Sequence, residues 1–339
     1  MATPVSCLAI GDLHFTVSNI AQAKELITKI DKLVKQVAPT FIVLLGDTLH
    51  THEKIHIAPL KMATKFITLL ASKLPVYIII GNHDYINNSQ FLTDNHSFNS
   101  FKKIKNVVVC DKPKDKTIGG HHFVFCPYVA PGRFEEALTT TLGDSDWKSA
   151  SCIFAHQEFY GCQLNPVVNS LDGDVWPEEY PTVVSGHIHD EQRLSENIYY
   201  PGSCMQCSFG EKETKIVALL TFDPFTIQRV NLEMKRKKIV YLDIDKANAY
   251  HAPENAIVKL VVKGQPDQFK VFRGCPDYKR LIEEGVIVSF SPVRCEEHET
   301  TPVAQKNFMV IFSDMIEEEK DSRIKGYVKE AFDNLLTAD

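Results

Sequence analysis

An α/β core followed by a smaller α+β region is the fold class this sequence predicts, and three observations predict it. Strand-sized apolar runs alternate with helix-period segments through the first quarter of the chain. Three successive strands run straight into polar clusters. Near residue 235 the character changes, and no further cluster of metal-ligating side chains follows. A length of 339 residues suffices for one large core with an appended small domain, or for two ordinary domains, and excludes a short binding module.

Taken in order, residues 5–10, 41–45 and 76–80 read as strands, and residues 20–37 and 58–71 as the helices between them. This predicts strand, helix, strand, helix, strand in a mainly parallel, packed sheet. The strands deliver Gly11, Asp12 and His14; then Gly46, Asp47, Thr48 and His50; then Gly81, Asn82, His83 and Asp84. Ligand sites in α/β sheets gather at the carboxyl ends of strands, so the three clusters should meet. Further strands are expected at 107–110, 123–127, 152–155, 182–185 and 216–222, two of them ending in histidine, at His156 and at Gly186-His187-Ile188-His189. Beyond them, strands at 239–244, 256–262 and 286–290 surround a helix at 277–284. A charged helix with an apolar stripe is expected at 314–336. The expected domains are therefore 1–234, 235–312 and 313–339.

Composition narrows the class. With 44% hydrophobic and 24% charged residues and no repeat or low-complexity tract, this is an ordered globular chain. Its apolar runs are too short to span a bilayer, and the first residues lack the basic start and apolar run of a secretory signal. The expectation is an intracellular protein of cytoplasm or nucleus, not secreted and without a membrane partner. Nine scattered cysteines suit reduced, buried thiols, and the single C-x-x-C at Cys204 and Cys207 reads as a plain loop. The formal charge of −6 argues against general polyanion binding without forbidding a local basic surface. The run from Lys235 to Lys238 is either a phosphate contact or a solvated linker.

A two-metal hydrolase needs a carboxylate able to bridge both ions, with imidazoles and carboxamides to complete each shell. Asp12, His14, Asp47, Asn82, His156, His187 and His189 provide that set, with Asp47 the natural bridge. Each histidine alone is an ordinary loop or core residue, and each Gly-Asp an ordinary turn; neither reading explains why all five blocks occur together. Mixed Asp, Asn and His ligation suits Mn, Fe or Zn better than Ca, and no thiolate is included. His96, His121, His122, His251 and His298 match no block and receive no role.

The ordered series Asp-x-His, Gly-Asp, Gly-Asn-His-Asp, His, Gly-His-x-His resembles the calcineurin-like metallophosphoesterases over roughly residues 5–222. That resemblance implies a sandwich of mixed sheets flanked by helices, and two divalent ions, manganese first. It places one ion on Asp12, His14, Asp47 and His189, and the other on Asp47, Asn82, His156 and His187. It also makes His83 the general acid, with Asp84 orienting its ring. Three features resemble, within that superfamily, the SbcD-type (meiotic recombination 11-type) DNA repair nucleases. These are His50, placed as their accessory phosphate-orienting histidine; Tyr200-Pro-Gly-Ser with Ser208-Phe-Gly-Glu; and a small α+β domain placed as their cap, followed by a helix. The resemblance implies a manganese-dependent exonuclease and endonuclease of DNA repair and recombination. Its implied partners are DNA and a coiled-coil, SMC-like ATPase subunit, with a homodimer as a further candidate assembly. Two other classes stand beside it: a phosphatase or small-molecule phosphodiesterase on the same core, and a non-catalytic scaffold that binds a partner through its C-terminal helix.

Overall fold

The structure, a computed structural model, describes residues 4–143, 146–165, 167–293, 316 and 324–329. Strands β1 (Ser6–Ile10), β2 (Phe41–Leu44), β3 (Val76–Ile79) and β4 (Val107–Cys110) pair in parallel. Helices α1 (Ile20–Val37) and α2 (Ile57–Ala71) make the crossovers. In α1, Ala23, Leu26, Ile27, Ile30, Leu33 and Val34 recur at helical spacing and are buried. That helix stops at Ala38, whose left-handed backbone returns its N–H to the Val34 carbonyl just before Pro39.

A second sheet runs from β5 (Lys114–Ile118) through β6 (His121–Phe125), β7 (Cys152–His156) and β8 (Val183–Gly186), with helix α3 (Phe134–Leu142) on its outer face. Strands β9 (Gln192–Ser195) and β10 (Ile198–Tyr200) complete it in the order β5-β6-β7-β8-β10-β9. Strands β11 (Val217–Thr221) and β12 (Thr226–Val230) then return antiparallel beside β1, giving the first sheet the order β12-β11-β1-β2-β3-β4. The mainly parallel sheet expected from the first three strands thus forms part of two mixed six-stranded sheets, the sandwich that the resemblance implies.

Period-two alternation explains how they stack. Leu8 and Ile10 face α1 and α2, whereas Cys7 and Ala9 face the second sheet. Between the sheets lies an aromatic layer: the Phe41 ring meets Phe123 at 5.2 Å and Phe154 at 6.0 Å, and Tyr77 stacks on Phe125 at 4.1 Å. The layers are helix, sheet, sheet, helix, and the carboxyl ends of β1, β2, β3, β7 and β8 share one edge.

The smaller region pairs β13 (Arg236–Asp243) in parallel with β14 (Ala256–Gly264), and β15 (Ile287–Pro292) lies beyond β14. Helices α4 (Ile244–Ala247), α5 (Pro266–Gly274) and α6 (Pro276–Glu283) pack a separate core with Val258, Leu260, Phe269, Phe272 and Leu281. Its first strand takes up Arg236, Lys237 and Lys238 of the basic run, so these three residues are not a linker. Lys237 exchanges backbone hydrogen bonds with the Gln206 side chain and gives its ammonium to the Cys207 carbonyl at 2.8 Å, while Arg236 and Lys238 pair with Glu213.

Met1–Ser291 form one compact unit and Pro292–Asp339 a second. Of the helix expected at 314–336, Ile316 and residues 324–329 are helical, and the remainder lies outside the described residues. No helix among the described residues is long and apolar enough to cross a membrane.

Candidate metal centre

Asp12, His14, Asp47, Asn82, His156, His187 and His189 all arrive at the shared sheet edge. His156 ends β7 and the others leave strands on turns, three of them conformationally demanding: His14, Asp47 and His187 have φ of 42°, 47° and 81°. Left-handed backbone at non-glycine residues costs energy and is held only where surrounding structure enforces it. Here the enforcement is visible. The His14 N–H donates to the Asp47 carbonyl at 2.8 Å, and the His187 N–H to Asp12 Oδ1 at 3.0 Å. Gly46 and Gly81 allow the approach, since a Cβ at Gly46 would stand 2.2 Å from the His156 ring, and one at Gly81 2.2 Å from Asp47 Oδ1.

The candidate ligand atoms form two groups joined by one oxygen. Asp47 Oδ2 lies 3.5 Å from His14 Nε2 and 3.4 Å from His156 Nε2. On the first side, donor atoms of Asp12, His14 and Asp47 fall within 4.8 Å of one another, and His189 Nε2 approaches His14 Nε2 to 2.9 Å. On the second side, Asn82 Oδ1 stands 3.0 Å from His156 Nε2 and 3.1 Å from His187 Nδ1. His156 Nδ1 donates to the Leu45 carbonyl at 2.6 Å, which fixes the ring and leaves Nε2 facing inward as the candidate ligand atom.

The electrostatics ask for cations. Asp12 Oδ2 is buried with no hydrogen-bond partner among the described residues, a costly state for a carboxylate unless a cation takes it up. Burial opposes charge on His156, yet Asp47 and Asp12 outweigh it and push the ring up to about 9. His189 is raised in the same way: burial works against its charge, and the Glu211 hydrogen bond and Asp12 prevail. Paired carboxylates, inward imidazole nitrogens and an orphaned carboxylate oxygen fit two divalent ions.

The residues assigned to acid–base work are placed around this core. His83 follows Asn82 on a 3-10 turn, its N–H on Asp47 Oδ1 at 2.9 Å and its ring Nδ1 on the His50 carbonyl at 2.9 Å. Burial lowers its pKa, against the opposing pull of Asp47. His50 stacks on His83 with ring centroids 5.0 Å apart and brings its Nδ1 to 3.0 Å from that of His14.

Asp84 requires a correction: its carboxylate accepts the backbone N–H groups of Gly81, Thr48 and Leu49 and does not orient the His83 ring. Successive side chains on a 3-10 turn diverge by roughly 120°, so the neighbour in sequence points elsewhere. What Asp84 holds together is the pair of loops carrying Asp47 and His83. Burial, and then the Asp47 charge, raise its carboxyl to about 7.

Most other contributors escape sequence reasoning. Glu211 accepts from His189 Nδ1 at 3.1 Å and from the Cys207 and Ser208 N–H groups; Lys215 braces it at 2.9 Å. The Ser208-Phe-Gly-Glu resemblance pointed at this stretch without giving Glu211 a task. His52 stacks on the far side of His83 at 4.7 Å, Tyr128 stacks on His187 at 5.7 Å, and Glu158 stands 3.5 Å from His187 Nε2. Cys207 lies with His14 and His189 in a second group of donor atoms within 4.8 Å. Long-range folding brings in His52, Tyr128 and Cys207, which no local motif announces, whereas Glu158 follows His156 by two residues and its acidity beside the site is legible in the sequence. All eight cysteines among the described residues are free thiols.

With this geometry in view, comparison with known proteins is direct. The calcineurin-like phosphoesterase family matches residues 6–191, more than half of the chain. The chain belongs to that family. Two viral relatives extend the likeness, each bearing a name of the form "Putative phosphoesterase". One, 078R of Invertebrate iridescent virus 3, is 36% identical over 333 residues, 96% of both chains. The other, 244L of Invertebrate iridescent virus 6, is 39% identical over 279 residues, 78% of this chain and 96% of the relative. This calcineurin-like phosphoesterase is a metal-dependent hydrolase of phosphate esters.

Proposed function

We propose that this phosphoesterase is a DNA nuclease of the SbcD type, with exonuclease and endonuclease activity, using two divalent ions of which manganese is the first candidate. The observation that carries the reading is the position of two of its three distinguishing features. His50 packs against both His14 and His83, and the Ser208-Phe-Gly-Glu stretch folds back so that Glu211 grips the candidate ligand His189. These two features thus touch the candidate metal centre and not a remote surface.

Room for a chain-like substrate lies on both flanks. A cleft of about 390 Å³ beside His187 and His189 is lined by Leu164, Asn165 and Ser208, and one of about 440 Å³ opens beside His52, Ile86 and Asn88.

Divalent ions held by the seven ligands supply Lewis acidity toward the phosphodiester and lower the pKa of water. The chain's own residues do the rest. Nδ1 of His83, committed to the His50 carbonyl, leaves Nε2 to carry a proton to the departing oxygen. Burial lowers the proton affinity of the ring, and an anionic substrate beside it acts in the opposite direction.

A coiled-coil ATPase is the partner we assign to the C-terminal helix, on which Tyr327 is largely exposed. Assembly into a homodimer belongs to the same reading. Deleting 314–339 should abolish capture of such an ATPase while the chain stays folded; equal capture by the truncated chain would end that assignment.

A second reading has one observation in its favour. Glu158 presents a carboxylate beside His187, which repels a polyanion and suits a small phosphodiester or phosphomonoester. Assaying single-stranded DNA, duplex ends, a nucleotide and an aryl phosphate with manganese separates the two. DNA should be the fastest substrate; preferred hydrolysis of the aryl phosphate with DNA untouched would overturn the nuclease.

A further inference from the structure

The seven ligands named above are oxygen and nitrogen donors, yet the structure brings a sulfur to the same place. Cys207 presents its Sγ within 4.8 Å of the donor nitrogens of His14 and His189. One feature holds the sulfur there, and a second asks for a cation beside it. Glu211 accepts from His189 Nδ1 with one carboxylate oxygen and from the Cys207 N–H, at 2.9 Å, with the other, so a single side chain sets both donors in register. The buried Asp12 Oδ2, whose charge acts on Cys207, has no hydrogen-bond partner among the described residues. Among the described residues the thiol makes only a long contact, to the Met205 carbonyl at 3.8 Å.

We propose that Cys207 is a ligand of the ion held by Asp12, His14, Asp47 and His189, and that it binds as a thiolate. On binding, the S–H bond breaks, the proton passes to buffer, and a sulfur–metal bond forms; no electrons are exchanged. Without an ion the thiol stays protonated, because burial and then the Glu211 and Asp12 charges disfavour a further anion. A divalent cation reverses that balance, as it does for coordinating thiols generally. Cys204, the other half of the C-x-x-C, points into the apolar layer against α1 and α2 and is not a ligand.

The consequence is a division of labour between the two ions. Thiolate favours zinc, cobalt or iron over manganese and magnesium, whereas the Asn82, His156 and His187 side keeps its oxygen and nitrogen set. The chain should therefore load a softer ion on the Cys207 side than on the other.

The test uses the full chain and the metals alone. Cobalt(II)-loaded wild-type protein should show an intense near-ultraviolet thiolate-to-metal band. Cys207→Ser should lose it while retaining visible cobalt absorption and binding zinc about 10- to 100-fold more weakly, by analogy with other losses at metal shells. Cys204→Ser should keep the band. Cadmium NMR of the wild type needs no variant: one resonance should lie downfield in the thiolate range. Two cadmium signals both in the oxygen–nitrogen range, or a cobalt band unchanged in Cys207→Ser, would overturn the assignment. Neither readout involves DNA, so failure here is distinct from failure of the nuclease reading.

Discussion

His156 and His189 face the same pair of carboxylates from opposite halves of the centre, and the fold secures them differently. His156 is fully buried at the end of a strand, tied to the Leu45 carbonyl and wedged where Gly46 and Gly186 leave no room for a Cβ. Its position is a property of the sheets. His189, about a third exposed, is held by Glu211, which is held in turn by Lys215 and by the N–H groups of Cys207 and Ser208. Its position is a property of side chains on a loop. One half of the centre is therefore rigid by construction, while the other is adjustable by single substitutions that leave the fold intact.

The largest effect should come from the residue the halves share. Asp47→Ala should abolish both dinuclear metal binding and hydrolysis, because one oxygen faces both groups of ligands. Metal analysis that still finds two ions, together with substantial turnover, would break the two-sided description altogether. His83→Ala belongs to neither half and should keep the metals while losing ~10²–10⁴ in rate. Parallel loss of metal, seen by calorimetry, would instead move His83 among the ligands.

Glu211→Gln sharpens the comparison directly. It should weaken one ion by roughly 10- to 100-fold and leave the other unchanged, read as two separated binding isotherms. Equal weakening of both would mean that the halves are not independent.

The smallest effect is a control away from the centre. Burial would raise the Asp111 carboxyl, but hydrogen bonds from His96 and Lys102 prevail and hold it well below the usual range. A depressed carboxyl contributes stability above its unfolded value, near 4, and loses it as pH falls through the folded value. Asp111→Asn should cost on the order of 1 kcal/mol at neutral pH. The melting-temperature gap from wild type should narrow below about pH 4. A gap constant with pH would show that the ion pair is not its source.

The same contrast explains what sequence could and could not show. Ligands that leave strands directly were legible, because strand period and strand end are local and the ends of parallel strands must meet. The structure does bring Asp12, His14, Asp47, Asn82, His156, His187 and His189 together. Support from loops was not legible: Glu211, Cys207 and His52 reach the centre through folding of segments distant in sequence. Adjacency misled at Asp84, where a 3-10 turn sends neighbouring side chains apart. Among the elements, β5 escaped because an exposed edge strand of Lys114, Asp115, Lys116 and Thr117 carries no apolar alternation. Helix α5 is short, and the glycine at its C-terminal end together with a proline opening α6 reads as loop punctuation.

The left-handed backbone at His14, Asp47 and His187 has a bearing on how long the protein lasts. Each such residue costs about 1–3 kcal/mol. An ion that binds only the folded chain returns about 2.7 kcal/mol when present at a hundred times its dissociation constant. A chain made where metal is scarce carries the strain without the return, opens more often, and meets proteases more often. Metal supply would then govern the abundance of this phosphoesterase as well as its rate, with the starved form removed from the pool instead of persisting as an inert competitor for substrate.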